Sequence, residues 1–578
     1  MIIDLVRERA CQAPEKIAVL SRDGGLTYGE LWRRAGRTAH RLGGLGCAPG
    51  ETVGVLAQPS ADGVVGLLAV LRAGAAFLGL CPSLPPARVE TLVNDSGARF
   101  VLHAPAAPVT SVSAAKVVGI AAEDVGPDAP AAPPAHPRAP AMVVYTSGST
   151  GTPKAVIVPH RALLNRITWG RRTYPLGVAD LVLHHTRYIY DFSIWEVLAP
   201  LADGATLVVE SFRNYPDFGE IASAIRDFQV TTAHFVPSVL AGLLRHAAPR
   251  DLASLTTVFS GGEALPRRLA AEFAKVCDAT LYNQYGPAET CVDSTFHRYD
   301  GTTGEGTVPI GGPIDQTSLY VLDARLRHVP EGETGELYIG GAGLASAYGG
   351  RPGLTAERFV ADPFRGGGER MYRTGDLVRD LGGGTLQFAG RADWQLNVRG
   401  VRLEPAEIEL ALEAHPGVSK AVASVTGDGE PHLVALVVPE PGATVFRDEL
   451  RDLARATLPA AAVPDRFYAG DTFPLLPTGK IDRRAVRDLL ATARPLPEGA
   501  RPANAAVSGQ LLAIWRELLG IDAIGPHDDF FELGGHSLLA AELIMTANER
   551  LGTDIPLAEF FEIPTLAQMT ALAGGDPT

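Results

Sequence analysis

Alternating apolar and polar positions predict helices and short buried strands along the first part of the chain. The segment LTYGELWRRAGRTAHRL predicts an amphipathic helix, with Thr27 as its N-cap and Glu30 three residues later. The apolar runs TVGVLA at 52–57 and RFVLHA at 99–104 predict buried strands. The Pro- and Ala-rich stretch 126–141 predicts a loop, and helix and strand patterns alternate again after it. This alternation is typical of layered α/β folds.

The pattern changes from about residue 335. Short β segments such as GELYIGG and TLQFAG stand among Gly-rich turns, which predicts a smaller β unit. A compact βα pattern follows, and the stretch ATARPLPEGARPANA has the composition of a linker. VSGQLLAIWRELLG then begins a small helical domain, and no tandem repeats are visible. We therefore predict a core at 1–392, a smaller subdomain at 393–490, a linker at 491–506 and a helical domain at 507–575.

Composition narrows the classes of function. A chain of 578 residues with 46% hydrophobic residues can bury several cores. The net charge of −14 argues against nucleic acid as the main partner, because such binding needs a basic face. The five cysteines lack CxxC spacing, so neither zinc nor a disulfide framework is expected. The absence of an apolar leader or of a membrane-length apolar run predicts a cytoplasmic protein without a membrane partner.

The stretch YTSGSTGTPKA, at 145–155, is the sharpest chemical signal. Its hydroxyls, backbone N–H groups and glycines suit an anion, and Lys154 adds a positive charge. It is not a Walker A sequence, because Pro153 precedes the lysine and Ala155 follows it. A phosphate-binding loop is the functional interpretation, and a flexible surface loop is the alternative.

This loop resembles the phosphate loop of the adenylate-forming superfamily, which includes adenylation domains of nonribosomal peptide synthetases, acyl-CoA ligases and luciferases. Further motifs follow in the family's order over nearly the whole chain: LRAGAAFLGL at 71–80, YDFSIWE at 190–196, NQYGPAET at 283–290, GELYIGGAGLASAY at 335–348, YRTGD at 372–376, GRADWQLNVRGVRLEPAEIE at 390–409 and PTGKIDRR at 477–484. The resemblance implies an α/β multidomain protein: a core of layered α/β subdomains with a small β unit, a mobile α+β subdomain, and a four-helix carrier bundle. It also implies an AMP-forming ligase that uses ATP and Mg²⁺.

The resemblance assigns roles to residues at the nucleotide site. Tyr285 would stack on adenine, Glu289 would hold Mg²⁺ and take part in catalysis, and Asp376 would bind the ribose hydroxyls with help from Arg391. Catalytic Lys480 would reach the substrate carboxylate and the α-phosphate, where negative charge develops. The loop residues implied in phosphate binding are Thr146, Ser147, Gly148, Ser149, Thr150 and Lys154.

The resemblance also places a hinge in the chain. Asp393 matches the position about which the smaller subdomain rotates between adenylate-forming and thioester-forming states. One departure lies nearby, since the family often has lysine where this chain has Asn397. A charge role at that position is therefore in doubt.

A second resemblance covers DDFFELGGHSLLAAELI at 528–544, which is similar to the attachment motif of a peptidyl carrier domain. Ser537 follows two glycines and opens a predicted helix, whose N-terminus favours a phosphodiester. The alternative is an ordinary serine cap. The resemblance implies a 4′-phosphopantetheine arm on Ser537, added by a separate phosphopantetheinyl transferase, and a catalytic role for that serine as the attachment point.

The same resemblance identifies a substrate pocket. Asp191 matches the acid that pairs with an α-ammonium, which favours an amino acid as substrate. Because a buried carboxylate needs a partner, Asp293 favours a side chain that carries a donor. Glutamine, a basic residue and a polar cyclic imino acid stay open. The implied pocket residues are Asp191, Phe192, Trp195, Phe235, Phe259, Gly261, Gln284, Val292 and Asp293, together with Lys480.

The sequence thus predicts an enzyme that activates an amino acid with ATP and loads it on its own carrier domain, in nonribosomal peptide or related secondary-metabolite biosynthesis such as that of antibiotics. An acyl- or aryl-CoA ligase and an inactive carrier scaffold are the alternatives. The implied partners are the transferase and a downstream condensation domain or tailoring enzyme in trans. The need for an MbtH-like protein stays open.

Overall fold

The structure is a computed structural model of the chain. It describes all residues except 105–112, 114, 121–135, 149–150, 212–216, 399, 427–431, 471, 475–480, 491–492, 498–504, 522–523, 527, 532, 534, 536, 552, 554, 557–558, 561–563 and 574–578. The chain divides into two compact units, one formed by 1–445 and 449–496, the other by 446–448 and 497–578. No helix within the described residues is both long and apolar enough to cross a bilayer.

The predicted helix near residue 27 shows how local sequence sets an element boundary. The Thr27 hydroxyl accepts from the Glu30 N–H at 3.2 Å, and the Glu30 carboxylate accepts from the Thr27 N–H at 2.8 Å, as the capping-box pattern predicts. The helices of the first unit are α1 Ile2–Gln12, α2 Tyr28–Gly44, α3 Ala61–Arg72, α4 Pro86–Ser96, α5 His160–Thr173, α6 Phe192–Asp203, α7 Phe218–Phe228, α8 Pro237–His246, α9 Arg267–Val276, α10 Pro352–Arg358, α11 Pro405–Glu413, α12 Arg447–Thr457 (which begins in the second unit) and α13 Arg483–Leu490.

The strands include both buried runs that the sequence predicts. The first predicted strand is β3 and the second is β5, and both are almost wholly buried. The strands are β1 Ile17–Ser21, β2 Gly24–Thr27, β3 Thr52–Leu56, β4 Ala76–Leu80, β5 Phe100–His103, β6 Lys116–Gly119, β7 Pro140–Thr146, β8 Lys154–Pro159, β9 Leu181–His184, β10 Thr206–Val209, β11 Thr232–Phe235, β12 Thr257–Gly261, β13 Thr280–Tyr285, β14 Thr295–Arg298, β15 Gly312–Pro313, β16 Thr317–Leu322, β17 Thr334–Gly341, β18 Ala347–Tyr348, β19 Phe359–Ala361, β20 Arg370–Asp380, β21 Leu386–Arg391, β22 Leu396–Val398, β23 Val401–Leu403, β24 Val418–Thr426, β25 His432–Pro439, β26 Arg466–Ala469 and β27 Arg494–Pro495.

Two large sheets form the layered core. One has nine strands in the order β15-β14-β13-β12-β11-β9-β10-β1-β2, and the other has seven in the order β18-β8-β7-β4-β3-β5-β6. Their central strands are parallel and buried, and helices between them cover the faces, as expected of buried parallel sheets. The predicted loop 126–141 lies outside the described residues up to 135, and β7 already begins at Pro140. The α/β class is therefore confirmed.

Smaller sheets follow in the order that the sequence predicts. β16, β17, β20, β19 and β21 form a five-stranded unit, the β22–β23 hairpin comes after it, and β24 to β27 form a four-stranded sheet. Asp393 lies between β21 and β22, where the small β unit ends. The regions before and after Asp393 belong to the same compact unit, and the boundaries predicted at 392, 490 and 506 stay predictions.

The second unit is helical. The helices that the structure describes are α14 Ala505–Leu519, α15 Ser537–Leu551 and α16 Leu566–Ala573, and residues 559–560 are also helical. Their core contains buried Trp515, Phe530, Phe560 and Met569. The Trp515 ring N–H donates to the Met569 sulfur at 3.2 Å, so the buried indole has a hydrogen-bond partner for its N–H group.

Candidate active site

The loop between β7 and β8 is the centre of the site. The two strands pair antiparallel with Thr146 opposite Lys154, so the loop connects the adjacent ends of these two strands. Gly148 allows this close return, since a Cβ there would lie 1.8 Å from the Thr152 carbonyl oxygen. The Thr146 hydroxyl is buried and has no hydrogen-bond partner among the described residues. A buried hydroxyl of this kind is available to an anionic ligand.

Lys154 and Glu289 face each other beside this loop. Lys154 Nζ lies 3.3 Å from Glu289 Oε1 and 4.9 Å from the centre of the Tyr348 ring. The Tyr348 hydroxyl donates to the same Glu289 oxygen at 2.7 Å. Burial alone would raise the pKa of Glu289, but Arg402 and Lys154 hold it well below its usual range. The carboxylate is therefore ionised at every physiological pH.

Glu289 fits the Mg²⁺ role that the family resemblance implies. An ionised carboxylate next to a phosphate loop is the hard oxygen ligand that Mg²⁺ prefers. The part of the chain that the structure describes contains no cluster of three His, Cys, Asp or Glu side chains able to hold a metal. Phosphate oxygens of the nucleotide would have to complete the coordination.

Arg402 is a site residue to which the sequence assigned no role. It lies on β23, and its Nη1 donates to Glu289 Oε2 at 3.0 Å. The Ser147 hydroxyl donates to the backbone carbonyl of Arg402 at 2.8 Å, and this hydrogen bond attaches the β22–β23 hairpin to the phosphate loop. Asn397, where the family often has lysine, donates from its side-chain amide to the Gly262 carbonyl. In this state the hairpin that follows Asp393 occupies the site.

The residues predicted to bind the ribose form a connected set. The Tyr285 hydroxyl donates to Asp376 Oδ2 at 2.6 Å, and Arg391 Nη1 donates to Asp376 Oδ1. Arg391 also donates to Asp393 Oδ1 at 2.6 Å and Oδ2 at 2.8 Å. Gly375 has φ +77°, and a Cβ there would lie 2.8 Å from Asp393 Oδ2. The predicted ribose residue and the predicted hinge residue thus share one arginine.

The predicted amino-acid anchor lies at the start of α6. Asp191 precedes Phe192 and Trp195, whose rings are 5.1 Å apart. Burial, and then the nearby Asp293 carboxylate, raise the pKa of Asp191 to about 7. A substrate ammonium would favour the ionised form and relieve this cost.

Two further predicted pocket residues, Phe259 and Val292, pack with Phe192 and Trp195. Trp195 and Phe259 are 5.0 Å apart in an edge contact, and Phe259, Val292, Phe192 and Trp195 belong to one buried core. Phe235 belongs to a different core, with its ring 5.4 Å from His185, whereas neighbouring His234 stacks on Phe192 at 3.4 Å. Gly261 leaves room for β13, since a Cβ there would lie 2.9 Å from the Gln284 carbonyl.

Arg166 is a second residue that sequence reasoning missed. It lies on α5, and its side chain is only 1% exposed. Its Nε and Nη2 donate to Asp293 Oδ2 at 2.8 and 2.5 Å. The local signal for it was an arginine whose helix neighbours three positions away, Leu163 and Trp169, are apolar, but its partner is 127 residues away in sequence.

Three predicted ligand residues lie outside the described residues. These are Lys480, in the segment 475–480, and Ser149 and Thr150 in the phosphate loop. Their roles stay predictions.

Ser537 is the first residue of α15 in the second unit. The unpaired N–H groups and the dipole of a helix N-terminus favour a phosphodiester there. The predicted attachment serine therefore stands at a helix start, as its motif predicts.

Three family models match consecutive parts of the chain. "AMP-binding enzyme" matches residues 6–349, "AMP-binding enzyme C-terminal domain" matches 407–480, and "Phosphopantetheine attachment site" matches 509–573. The last range includes Ser537, and the second includes Lys480.

Curated relatives share this order. The chain is 42% identical over 590 aligned residues to phosphinothricin tripeptide synthetase PhsB of Streptomyces viridochromogenes, covering 99% of this chain and 49% of that protein. It is 39% identical to tyrocidine synthase 3 of Brevibacillus parabrevis, covering 98% of this chain and 9% of that protein. The chain thus spans about half or less of the length of these relatives.

Solved structures show the same fold. The structure of holo-PA1221, described as an NRPS protein containing adenylation and PCP domains bound to a vinylsulfonamide inhibitor, matches with a TM-score of 0.78 at 26% identity and covers 99% of this chain and 96% of that chain. The chain therefore belongs to the AMP-binding enzyme family and carries a phosphopantetheine attachment domain.

Proposed function

We propose that the chain activates an amino acid with ATP as an aminoacyl-adenylate and transfers it to the 4′-phosphopantetheine arm on Ser537. The observation that carries this proposal is the presence, in one chain, of a glycine-containing loop beside buried Lys154 and Glu289, a half-buried carboxylate at Asp191 and a carrier domain. The relatives named as peptide synthetases support the same activity.

In the first half-reaction the substrate carboxylate attacks the α-phosphorus of ATP, and pyrophosphate leaves. We propose that Thr146, Ser147 and Lys154 hold the phosphates. Lys480 would stabilise the charge that develops on the phosphoryl oxygens, where a fixed cation has its largest effect. Mg²⁺ supplies positive charge at the phosphates, and Glu289 is the residue that would hold it.

A separate set of residues would bind the nucleoside. Asp376 would accept hydrogen bonds from the ribose hydroxyls, and Arg391 fixes its orientation through the direct contact between them. Tyr285 would provide a face for adenine while its hydroxyl stays bonded to Asp376.

In the second half-reaction the carrier arm supplies the thiol that accepts the aminoacyl group, and AMP leaves. We propose that the subdomain after Asp393 rotates between the two steps. The contact of the β22–β23 hairpin with Ser147 and Glu289 supports assigning the present arrangement to the thioester-forming step. The contact would have to open before Glu289 could hold a metal.

The carrier domain requires a phosphopantetheinyl transferase. We propose that the loaded amino acid then passes to a condensation domain or a tailoring enzyme outside these 578 residues, in the cytoplasm, as part of antibiotic or related biosynthesis. The CoA-ligase alternative is not favoured, because the carrier domain already supplies the acceptor.

The test separates the two activities. Wild type incubated with a transferase, coenzyme A, ATP and its amino acid should gain the mass of the arm plus an aminoacyl group. Ser537→Ala should gain neither, whereas amino-acid-dependent pyrophosphate exchange should stay near the wild-type rate. Arm attachment at another residue would contradict the assignment. An arm on Ser537 that accepts no amino acid would favour the scaffold alternative.

A further inference from the structure

Asp293, one of the predicted residues of the amino-acid pocket, already has a partner of opposite charge. Asp293, whose buried carboxylate would otherwise need a partner from the substrate, accepts two hydrogen bonds from Arg166. Both side chains are at least 95% buried. Because the chain itself supplies the cation, the substrate does not have to.

The guanidinium lies directly beside the residues that define the pocket. Its central carbon is 5.6 Å from the centre of the Trp195 ring and 5.1 and 5.8 Å from those of Trp169 and Tyr174. Trp195 in turn contacts Phe192, the neighbour of the Asp191 anchor. A cationic side chain bound here would meet a fixed buried cation. An anionic one would meet the carboxylates of Asp293 and Asp191.

Two buried polar atoms near this pair are left unsatisfied. Arg166 Nη1, a donor, and Gln284 Oε1, an acceptor, have no hydrogen-bond partner within the part of the chain that the structure describes. The other Gln284 side-chain atom, Nε2, donates to the Tyr174 hydroxyl at 2.9 Å, which sets the direction of the amide. Unpaired buried polar atoms are costly, so a ligand that pairs both gains most.

We propose that the Arg166–Asp293 pair is a specificity determinant that selects an amino acid with a neutral side-chain carboxamide, glutamine or asparagine. The carboxamide oxygen accepts from Arg166 Nη1, and its NH₂ group donates to Gln284 Oε1. This inference rests on the proposed amino-acid activation and makes it specific. It removes basic residues from the candidates that the sequence left open.

The first experiment compares substrates on the wild-type chain. Pyrophosphate exchange is measured with glutamine, asparagine, glutamate, ornithine, lysine, pipecolate and methionine. A carboxamide should give the highest kcat/KM, at least about 10²-fold above the acids, bases and methionine, because a site built for hydrogen bonds rejects analogues that leave its groups unpaired. A highest rate with ornithine, lysine, glutamate, pipecolate or methionine would overturn the inference but leave amino-acid activation intact. No exchange with any of these seven would also overturn the inference, and no exchange across a full panel of amino acids would refute the proposed activation as well.

The second experiment changes the pair. Arg166→Met leaves the Asp293 carboxylate without its cation, so the ratio of ornithine to glutamine activity should rise at least about tenfold. This variant leaves the Asp293 carboxylate buried without a partner, which can unfold the protein. The double variant Arg166→Met with Asp293→Leu removes both charges. In the double variant, the ratio of methionine to glutamine activity should rise instead.

Arg171→Met is the matched control. Arg171 lies on the same helix and also pairs with an aspartate, Asp203, but it is 26% exposed and outside the pocket cluster. Its substrate ratios should equal those of wild type. If the Arg166 variants keep the wild-type ratios as well, the pair serves only to stabilise the fold and the proposal is wrong.

Discussion

Replacing Arg402 by methionine should separate the two half-reactions. In the present state Arg402 Nη1 donates to Glu289 Oε2, and this contact, with the bond from Ser147 to the Arg402 carbonyl, holds the β22–β23 hairpin in the site. The backbone bond survives the substitution, whereas the charged contact is lost. The state with the hairpin in the site should therefore become less populated.

The size of the change in population depends on the contacts that Glu289 retains in the variant. The Tyr348 hydroxyl stays at 2.7 Å and Lys154 at 3.3 Å, so the carboxylate is not left unpaired. The loss is then that of one hydrogen bond to a charged group, about 2 kcal/mol. At about 1.4 kcal/mol per factor of ten, the hairpin-in state loses roughly 30-fold in population relative to its alternative.

Single-turnover transfer to the holo carrier, followed by intact mass, should slow by up to this factor in Arg402→Met. Pyrophosphate exchange should stay within about threefold of wild type, because adenylation needs the hairpin to leave. Arg327→Met is the control, since Arg327 forms an exposed pair with Asp323 at 2.7 Å and should change neither rate. An equal loss of both activities in Arg402→Met would refute the reasoning.

Three further outcomes are expected. Lys480→Ala should lower pyrophosphate exchange by about 10²-fold or more while transfer from a supplied adenylate suffers less; equal losses would contradict its role. The pKa of Asp191 is about 7, and only its ionised form pairs with an ammonium. The apparent KM for the amino acid at pH 6 should therefore be about tenfold higher than at high pH. Asp191→Asn should bind the amino acid weakly at every pH, and its KM should not show this pH dependence. Trp515→Ala should destabilise the carrier by about 3–5 kcal/mol, so that arm attachment falls and pyrophosphate exchange persists; unchanged arm attachment would show that the indole is dispensable.

Local sequence was sufficient wherever a structure depends on near neighbours. The capping box of α2 needs only Thr27 and Glu30, and both of its hydrogen bonds are present. The phosphate loop stands between two strands because apolar runs flank it, and Ser537 begins a helix because polar and glycine residues precede an apolar stretch. The family motifs extended this to the domain order, which the matching family models support.

The partners of the buried charges could not be predicted from the sequence. Arg166 and Asp293 are 127 residues apart, and Arg402 and Glu289 are 113 apart. A buried charge must be paired, but its own neighbours in sequence do not reveal which distant charge the packing of sheets will bring to it. From the sequence, Asp293 indicated a substrate with a donor, and in the folded chain an arginine on α5 already fills that role. The sequence by itself determined the family and the order of its domains and predicted the chemistry of the site, and only the tertiary structure decided which buried charges already have a partner within the chain.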